Sequence, residues 1–285
     1  KDLKAERSWN LLYPEEVKKT ANKIENSCLK NGTIIMLGDS FVVRNGLIFI
    51  KDDIFILTEK NNLNIERDEI SIQINGKYRR LSEKEKNRLK IIYKSKSIKP
   101  YGHDQDIPAR YAIYFNKNQF NSRTINNRNE ILEVEYPVLT AYLMQFERDL
   151  KDILINAKEN PYDLYFPRRG AFIRNLEQKN EANKENLFDL EPLYDNAKKI
   201  FFKYISNDNI FGYADSSYYA TSDTYFLWPK VPEMQINYPF LLAYLNSKLV
   251  RFLFKAKNIK IKRSKTKLEE DLPIPNMNEF QSDKI

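Results

Sequence analysis

The sequence predicts an α+β fold in which mixed or antiparallel β-sheets pack against two marked amphipathic helices. Short apolar runs bounded by turn residues fill residues 31–80, which is typical of strands joined by hairpins. Apolar residues recur at steps of three and four after Pro137 and again after Pro239, as they do in helices with one buried face. Strands and helices do not alternate as regular βαβ units, so we do not expect a doubly wound parallel sheet.

The chain is predicted to begin with a helical lead-in over residues 1–30. Pro14 interrupts its apolar positions. Glu15 and Glu16 follow directly and suit the first turn of a helix, where acidic side chains are favoured. We interpret this segment as a link from an upstream domain that lies outside the sequence.

Residues 31–95 are predicted to form a β-rich subdomain. Asn45-Gly46 and Asn75-Gly76 are both expected to be hairpin turns, because these dipeptides accept the backbone conformation of a two-residue β-turn. A charged helix is predicted to start at Ser82, since Glu85 three residues later completes a capping box.

Residues 96–285 are predicted to form the remaining core, with a C-terminal helix and a basic tail. Consecutive strands are expected between Lys199 and Trp228, where short apolar runs follow one another. The helix after Pro239 comes next and runs directly into the basic tail.

The net charge of +8 is concentrated in one segment. Eight basic residues and no acidic residue lie between Arg251 and Lys267, so this stretch accounts for the whole excess. Such a stripe is typical of phosphate binding, in which protein cations release the counterions of a nucleic acid. A solvated tail is the alternative interpretation.

The chain is poor in residue types that carry catalysis or bind metals. Cys28 and His103 are its single Cys and single His, so it cannot form an internal disulfide, a Cys cluster or a His pair. Its 7 glycines are scattered and form no phosphate-binding loop. We therefore expect no catalytic residue, metal site or cofactor site here. The lone Cys, and the lack of a signal peptide or a long apolar run, predict a cytoplasmic protein that does not enter a membrane.

One set of residues keeps a nuclease interpretation open. Asp163, Glu177 and Lys179 loosely match the Asp…Glu-x-Lys pattern, in which two carboxylates hold magnesium and the lysine lies beside the attacking water. Here the Glu-x-Lys triplet falls in a polar run rather than a strand. Asn160-Pro161-Tyr162-Asp163 resembles the Asn-Pro-Pro-Tyr box of amino-methyltransferases but lacks one proline, and we interpret it as a turn.

Side chains that suit base edges are concentrated in residues 116–130. Arginine pairs with guanine, and asparagine or glutamine with adenine, through two hydrogen bonds each. The candidate base-reading residues are Gln119, Asn121, Arg123, Asn126 and Arg128. An ordinary polar loop is the alternative interpretation.

Seven segments carry a resemblance to a known family. They are Asn31-Gly32-Thr33 to Val43, Lys99-Pro100-Tyr101-Gly102 with Asp106-Ile107, Pro137-Val138-Leu139 with Tyr142-Leu143 and Phe146, Tyr162-Asp163-Leu164 with Pro167-Arg168, Lys198-Lys199-Ile200 with Asp223-Thr224-Tyr225-Phe226, Leu245-Asn246-Ser247, and Leu272-Pro273-Ile274-Pro275. In this order they resemble the TaqI-like C-terminal specificity domain of adenine-specific DNA methyltransferases and combined restriction-methylation enzymes. The chain departs from the family pattern at Tyr162 and at Thr221-Ser222.

The resemblance implies a target-recognition-domain fold that binds double-stranded DNA and positions it for a methyltransferase domain upstream in the same polypeptide. That domain would bind S-adenosylmethionine and methylate a flipped adenine. The expected phosphate-binding residues of this chain are Lys96, Lys99, Arg168, Arg169, Lys255, Lys257, Lys260, Lys262, Arg263, Lys265 and Lys267. A protein-interaction module whose basic tail binds an acidic partner stays open beside the nuclease.

Overall fold

The computed structural model describes residues 14–105, 110–120, 124–168, 194–195, 197–206, 208–230, 234–257, 259 and 265–276. These residues form helices together with antiparallel and mixed sheets, which confirms the predicted α+β class. The helices are α1 (Glu15–Lys30), α2 (Leu37–Ser40), α3 (Asp52–Phe55), α4 (Glu83–Lys86), α5 (Ile125–Glu135), α6 (Pro137–Met144), α7 (Glu147–Asn156), α8 (Tyr238–Leu245), α9 (Lys248–Ala256) and α10 (Lys265–Asp271).

The strands are short and are distributed along the whole described chain. They are β1 (Ile34–Met36), β2 (Phe41–Asn45), β3 (Ile56–Leu57), β4 (Leu63–Glu66), β5 (Glu69–Ile74), β6 (Lys77–Arg80), β7 (Leu89–Tyr93), β8 (Ile98–Lys99), β9 (Gly102–His103), β10 (Tyr111–Ile113), β11 (Lys199–Lys203), β12 (Phe211–Ala214), β13 (Tyr219–Ala220), β14 (Thr224–Pro229) and β15 (Pro273–Pro275). The consecutive strands predicted between Lys199 and Trp228 are therefore present.

The central sheet has the strand order β12-β11-β14-β2, and all its neighbours are antiparallel. It separates two hydrophobic cores, because alternate side chains of a strand point to opposite faces. Ile200 and Phe202 of β11 pack in the core that contains the buried residues of α8, α9 and α10, whereas Phe201 packs in the larger core on the other face. Burial on both faces explains why β11 and β14 are almost continuous apolar runs.

A second sheet, with the order β13-β7-β10-β3, lies at the larger core and is mixed. Strand β7 pairs antiparallel with β10 and parallel with β13. Buried residues of α6 and α7 belong to the same core. The division of the chain at residues 30 and 95 stays a prediction. Five strand pairings cross the second boundary: β1 with β15, β2 with β14, β3 with β10, and β7 with both β10 and β13.

The third sheet, β4-β5-β6, contains the hairpin predicted at Asn75-Gly76. Both turn residues have positive φ angles, 50° and 78°, which is the conformation that a type I′ turn requires. Ile72 and Ile74 of β5 are buried and hold the sheet on the larger core.

The prediction of a hairpin at Asn45-Gly46 is wrong. Strand β2 pairs with β14, and Gly46 instead allows the chain to pass very close to residues 220–221. Its N–H donates to the Thr224 carbonyl at 2.8 Å. A Cβ at Gly46 would lie 2.3 Å from the carbonyl oxygen of Ala220, so the position requires glycine for close approach rather than for a turn.

The helix predicted from Ser82 is one turn long. The capping box is present, but α4 ends after Glu83–Lys86, and β7 follows because its residues pair with two other strands. Glu85 is buried, and its Oε1 accepts the N–H groups of Val138 at 2.7 Å and Leu139 at 3.1 Å. One carboxylate therefore caps α4 and also receives the free N–H groups at the start of α6.

Prolines mark the helix starts as predicted. Helix α1 begins directly after Pro14, α6 begins at Pro137, and α8 begins one residue before Pro239. The prediction of a single helix from Pro239 into the basic tail is wrong, because α8 ends at Leu245 and Ser247 caps a second helix, α9. The apolar stripe after Pro137 continues through a break at residues 145–146 into α7. Proline has no N–H to leave unpaired and its φ suits a helix, so it favours the first turn.

The last described segment closes the smaller core. Strand β15 pairs antiparallel with β1, which brings the Leu-Pro-Ile-Pro segment to the start of the described chain. Helix α10, just before it, places Glu269 along the open edge of β2, where its Oε1 accepts the Val43 N–H at 2.7 Å. The carboxylate thus occupies an N–H group that an edge strand would otherwise leave unpaired.

Candidate nucleic-acid interface

Helix α9 carries a line of cations on its outer face. Val250, Leu253 and Phe254 are buried in the smaller core. Lys248, Arg251 and Lys255 are exposed and follow one another at steps of three and four residues. Residues with this spacing share one face of a helix and lie within about 10 Å along its axis. The cations therefore form one row along the solvent side of α9.

The central cation of this row has an exposed ion-pair partner. Arg251 Nη2 lies 2.9 Å from Asp208 Oδ1, and the side chains are 56% and 45% exposed. Ion pairs in such exposed positions contribute between about 0 and 1 kcal/mol. Arg251 can therefore exchange Asp208 for another anion at low cost.

The start of α9 and the β8–β9 turn meet at one peptide carbonyl. The Phe211 carbonyl oxygen accepts the Tyr101 N–H at 2.9 Å and the Asn246 Nδ2–H at 3.0 Å. Asn246 Oδ1 in turn accepts the Phe211 N–H at 2.9 Å. Asn246 belongs to the Leu-Asn-Ser motif, and Ser247 caps α9. The motif thus fixes α9 against β12 and against the turn that contains Lys99.

Two predicted phosphate-binding residues lie near this turn, Lys99 at the end of β8 and Lys96 just before β8. Lys96 and Lys99 are both exposed. Lys99 Nζ is 3.9 Å from Asp104 Oδ2, and the lysine side chain is 59% exposed. The structure therefore brings Lys99 next to the junction that begins α9, although the two are far apart in sequence.

The other described cations of the basic stripe do not all share one surface. Lys257 Nζ lies 2.5 Å from Glu25 Oε1 of α1, and its side chain is only 20% exposed. Lys267 Nζ is 2.7 Å from Asp271 Oδ2 within α10. Lys255, by contrast, is exposed on α9. Lys260, Lys262 and Arg263 lie outside the described residues.

Lys265 lies in a partly buried cluster of charges at the edge of β2. Its Nζ is 5.6 Å from the centre of the Tyr225 ring. Burial, and secondarily the charge of Arg44, lower the pKa of Lys265 to about 8. Burial also lowers the pKa of Arg44 to about 10, and it raises the pKa of Glu269. The charges of Arg44 and Glu269 both act on Lys265, so this lysine belongs to an internal cluster where α10 packs on β2.

Arg168, the remaining described phosphate candidate, is engaged by a carboxylate. Its Nη2 lies 3.1 Å from Glu159 Oε1, and the two side chains are 26% and 12% exposed. Its backbone N–H also donates to the Ile48 carbonyl at 2.7 Å. Arg169 lies outside the described residues.

The base-reading candidates are divided between surface and interior. Gln119 is exposed, and its Oε1 accepts from Arg88 at 3.0 Å. Asn126 is exposed in the first turn of α5 rather than in a loop. Arg128 is 5% exposed and packs over Phe166. Asn121 and Arg123 lie outside the described residues.

Asp163 belongs to an internal ion network. Arg128 Nη2 is 3.0 Å from Asp163 Oδ1, and Lys117 Nζ is 2.5 Å from Asp163 Oδ2. Glu177 and Lys179 lie outside the described residues. Within the part of the chain that is described, no three His, Cys, Asp or Glu side chains are grouped so that they could hold a metal ion.

His103 is part of an aromatic cluster. Its ring meets those of Tyr93, Phe201 and Tyr218 edge-on, with centroids 5.0, 6.0 and 4.7 Å away. Burial lowers the pKa of His103.

No helix among the described segments is long and apolar enough to cross a membrane.

Residues 55–274 match the TaqI-like C-terminal specificity domain. The chain belongs to this family. The match agrees with the resemblance seen in the sequence motifs. Among solved structures, the type IIG restriction endonuclease BpuSI is similar to the chain, with a TM-score of 0.41 and 13% identity over 94% of this chain and 27% of that one. The chain thus spans a minor part of that protein. No curated protein matches it.

Sequence reasoning missed three surface residues of this specificity domain. Lys248 precedes the stripe, Arg251 is one of its eight cations, and Tyr101 lies in a family motif. The spacing of Lys248, Arg251 and Lys255 at helical steps could have identified the row. Tyr101 gave no such signal, because its backbone conformation is visible only in the structure.

Proposed function

We propose that this specificity domain recognises duplex DNA for a restriction-modification adenine methyltransferase. It would position DNA for a catalytic domain in another part of the parent protein. The observation that carries the proposal is the row of Lys248, Arg251 and Lys255 on α9, beside the turn that bears Lys99. These cations would pair with phosphates along one strand and set the register of the domain on the duplex.

Base reading is proposed for exposed amides rather than for the whole polar run. Asn126 offers the donor and acceptor pair that suits adenine. The amide oxygen of Gln119 accepts from Arg88 at 3.0 Å, so Gln119 would have to release Arg88 in order to read adenine in the same way. Arg128 is buried against Phe166 and paired with Asp163, so it would support the start of α5 instead of contacting a base.

S-adenosylmethionine is assigned to the parent protein and not to this chain. A cradle for such a cofactor would need glycines close together at the end of a strand. The 7 glycines of this chain are scattered, and Gly46 and Gly212 serve close packing between backbone segments.

The proposal is tested by the salt dependence of binding to a short fluorescein-labelled duplex of mixed sequence. We expect Lys248→Gln, Arg251→Gln and Lys255→Gln together to weaken binding. The slope of log K against log salt should become shallower by up to about 0.9 for each phosphate that the variant no longer neutralises. Fluorescence anisotropy measures both quantities.

A matched variant controls for the loss of charge. Lys51, Lys84 and Lys151 each form a surface ion pair and lie away from α9. Their combined replacement by Gln removes the same charge and should leave the slope near its wild-type value. Equal losses in the two triple variants would contradict a located interface, and no binding by the wild-type chain would reject DNA recognition.

A further inference from the structure

Tyr101 lies at the tip of the β8–β9 hairpin in a conformation that tyrosine rarely adopts. Its φ angle is 70°, and Pro100 precedes it. Proline followed by a residue with positive φ is the pattern of a type II turn, whose second central position favours glycine or asparagine. Of the described non-glycine residues with positive φ, Tyr101 is the one aromatic residue. Its backbone is therefore strained.

The neighbouring glycine does not relieve this strain. Gly102 is not among the described residues with positive φ, and a Cβ on it would meet no atom within 4 Å. The turn thus has its glycine one position after the residue that needs it. A bulky side chain at such a position is typical of sites where the side chain has a binding role.

The surrounding structure holds the turn rigidly. The Tyr101 N–H donates to the Phe211 carbonyl at 2.9 Å, and the Asp104 N–H donates to the Ser97 carbonyl at 2.8 Å. Gly212 of β12 lies directly beneath, since a Cβ there would be 2.4 Å from the Gly102 carbonyl oxygen. A turn fixed in this way loses little entropy when it binds a partner.

The ring of Tyr101 is exposed, and two exposed lysines lie close to it in sequence. The residue is 57% exposed, so burial in a core does not explain it. Lys96 and Lys99 precede it in sequence and are exposed, and the Phe211 carbonyl that holds it also holds the junction before Lys248. An exposed phenol among lysines is complementary to a polyanion that also has sugar surfaces.

We propose that Tyr101 is a positioning residue for duplex DNA, with its hydroxyl donating to a backbone phosphate while Lys96 and Lys99 pair with neighbouring phosphates. This inference rests on the proposed function. Tyrosine is one of the side chains that contact phosphates without reading sequence. The rigid turn would thus fix how the domain approaches the duplex.

The test separates stability, affinity and salt dependence in the full chain. Tyr101→Gly should not lower the midpoint of thermal unfolding, because glycine accepts the positive φ without strain. It should weaken binding to the labelled duplex about tenfold, the effect of one hydrogen bond to a charged group. The salt slope should not change because tyrosine is neutral, whereas Lys99→Gln should lower it by about 0.9.

Two further variants define the contact. Tyr101→Phe keeps the ring and should lose a similar factor in affinity, since it lacks the donor. Tyr162→Ala removes a tyrosine that is 50% exposed elsewhere and should bind as the wild type does. If the wild type binds the duplex and Tyr101→Gly or Tyr101→Phe binds equally well, this inference fails and the proposed function stands. If the wild type does not bind, the proposed function itself fails.

Discussion

Replacement of Arg44 by methionine is expected to stabilise the fold. Arg44 is 1% exposed, and within the described structure Nε, Nη1 and Nη2 have no hydrogen-bond partner. The charge of Lys265 lies near it. A buried cation without partners costs free energy, whereas an apolar side chain of similar length would not.

The pKa of Arg44 sets the size of this effect. Burial lowers it from 12.5 to about 10, which corresponds to about 3 kcal/mol of destabilisation of the charged form. Methionine is shorter, and the space it leaves costs about 1 kcal/mol. We therefore expect Arg44→Met to raise the free energy of unfolding by about 2 kcal/mol.

Urea denaturation measures this change as a higher midpoint at an unchanged m value. Arg88→Met is the matched control, because Arg88 donates to the Tyr136 hydroxyl at 2.7 Å and to Gln119 at 3.0 Å. Losing these bonds should lower stability by about 1 to 2 kcal/mol. A destabilisation of about 1 kcal/mol or more in Arg44→Met would show instead that the guanidinium stabilises the fold.

Three further predictions concern stability. Gly46→Ala should lower the free energy of unfolding by about 2 to 3 kcal/mol, because the new Cβ would overlap the Ala220 carbonyl, while Gly102→Ala should be neutral; thermal unfolding of both variants checks this, and equal effects would contradict it. Glu85→Gln should cost about 2 kcal/mol by urea denaturation, since its buried carboxylate accepts N–H groups from two elements; a neutral result would contradict the dual cap. Burial lowers the pKa of Lys199 from 10.5 to about 8, so between these pH values the folded protein releases a proton that the unfolded chain keeps. Stability should therefore rise with pH over this window by up to about 3 kcal/mol, and Lys199→Met should lack this contribution; identical pH profiles would exclude it.

Local sequence patterns predicted the elements that depend on the backbone preferences of a few adjacent residues. Proline at a helix start and Asn75-Gly76 in a hairpin turn act through their own backbone preferences, so the sequence showed them directly. Asn45-Gly46 has the same local signature, yet Gly46 serves a close backbone approach to residues 220–221. This contact joins parts of the chain that are far apart in sequence, so no local sequence pattern predicts it.

Long-range pairing also explains the burial of Arg44 and the short length of the helix that starts after Ser82. Arg44 ends an apolar run, and its burial follows from the covering of both faces of the central sheet. The helix predicted from Ser82 ends after one turn because β7 pairs with two strands that lie further along the sequence. In both cases tertiary contacts outweigh the local preference.

Apolar periodicity and the order of the motifs are properties of the linear chain, so they are sufficient to predict the α+β class and the specificity-domain family. The sequence also located the excess positive charge between Arg251 and Lys267. Which of these cations face solvent follows from the folded arrangement, because ion pairing and burial depend on the residues that pack nearby. Lys257 is paired with Glu25 and Lys265 is partly buried, while Lys255 joins an exposed row on α9.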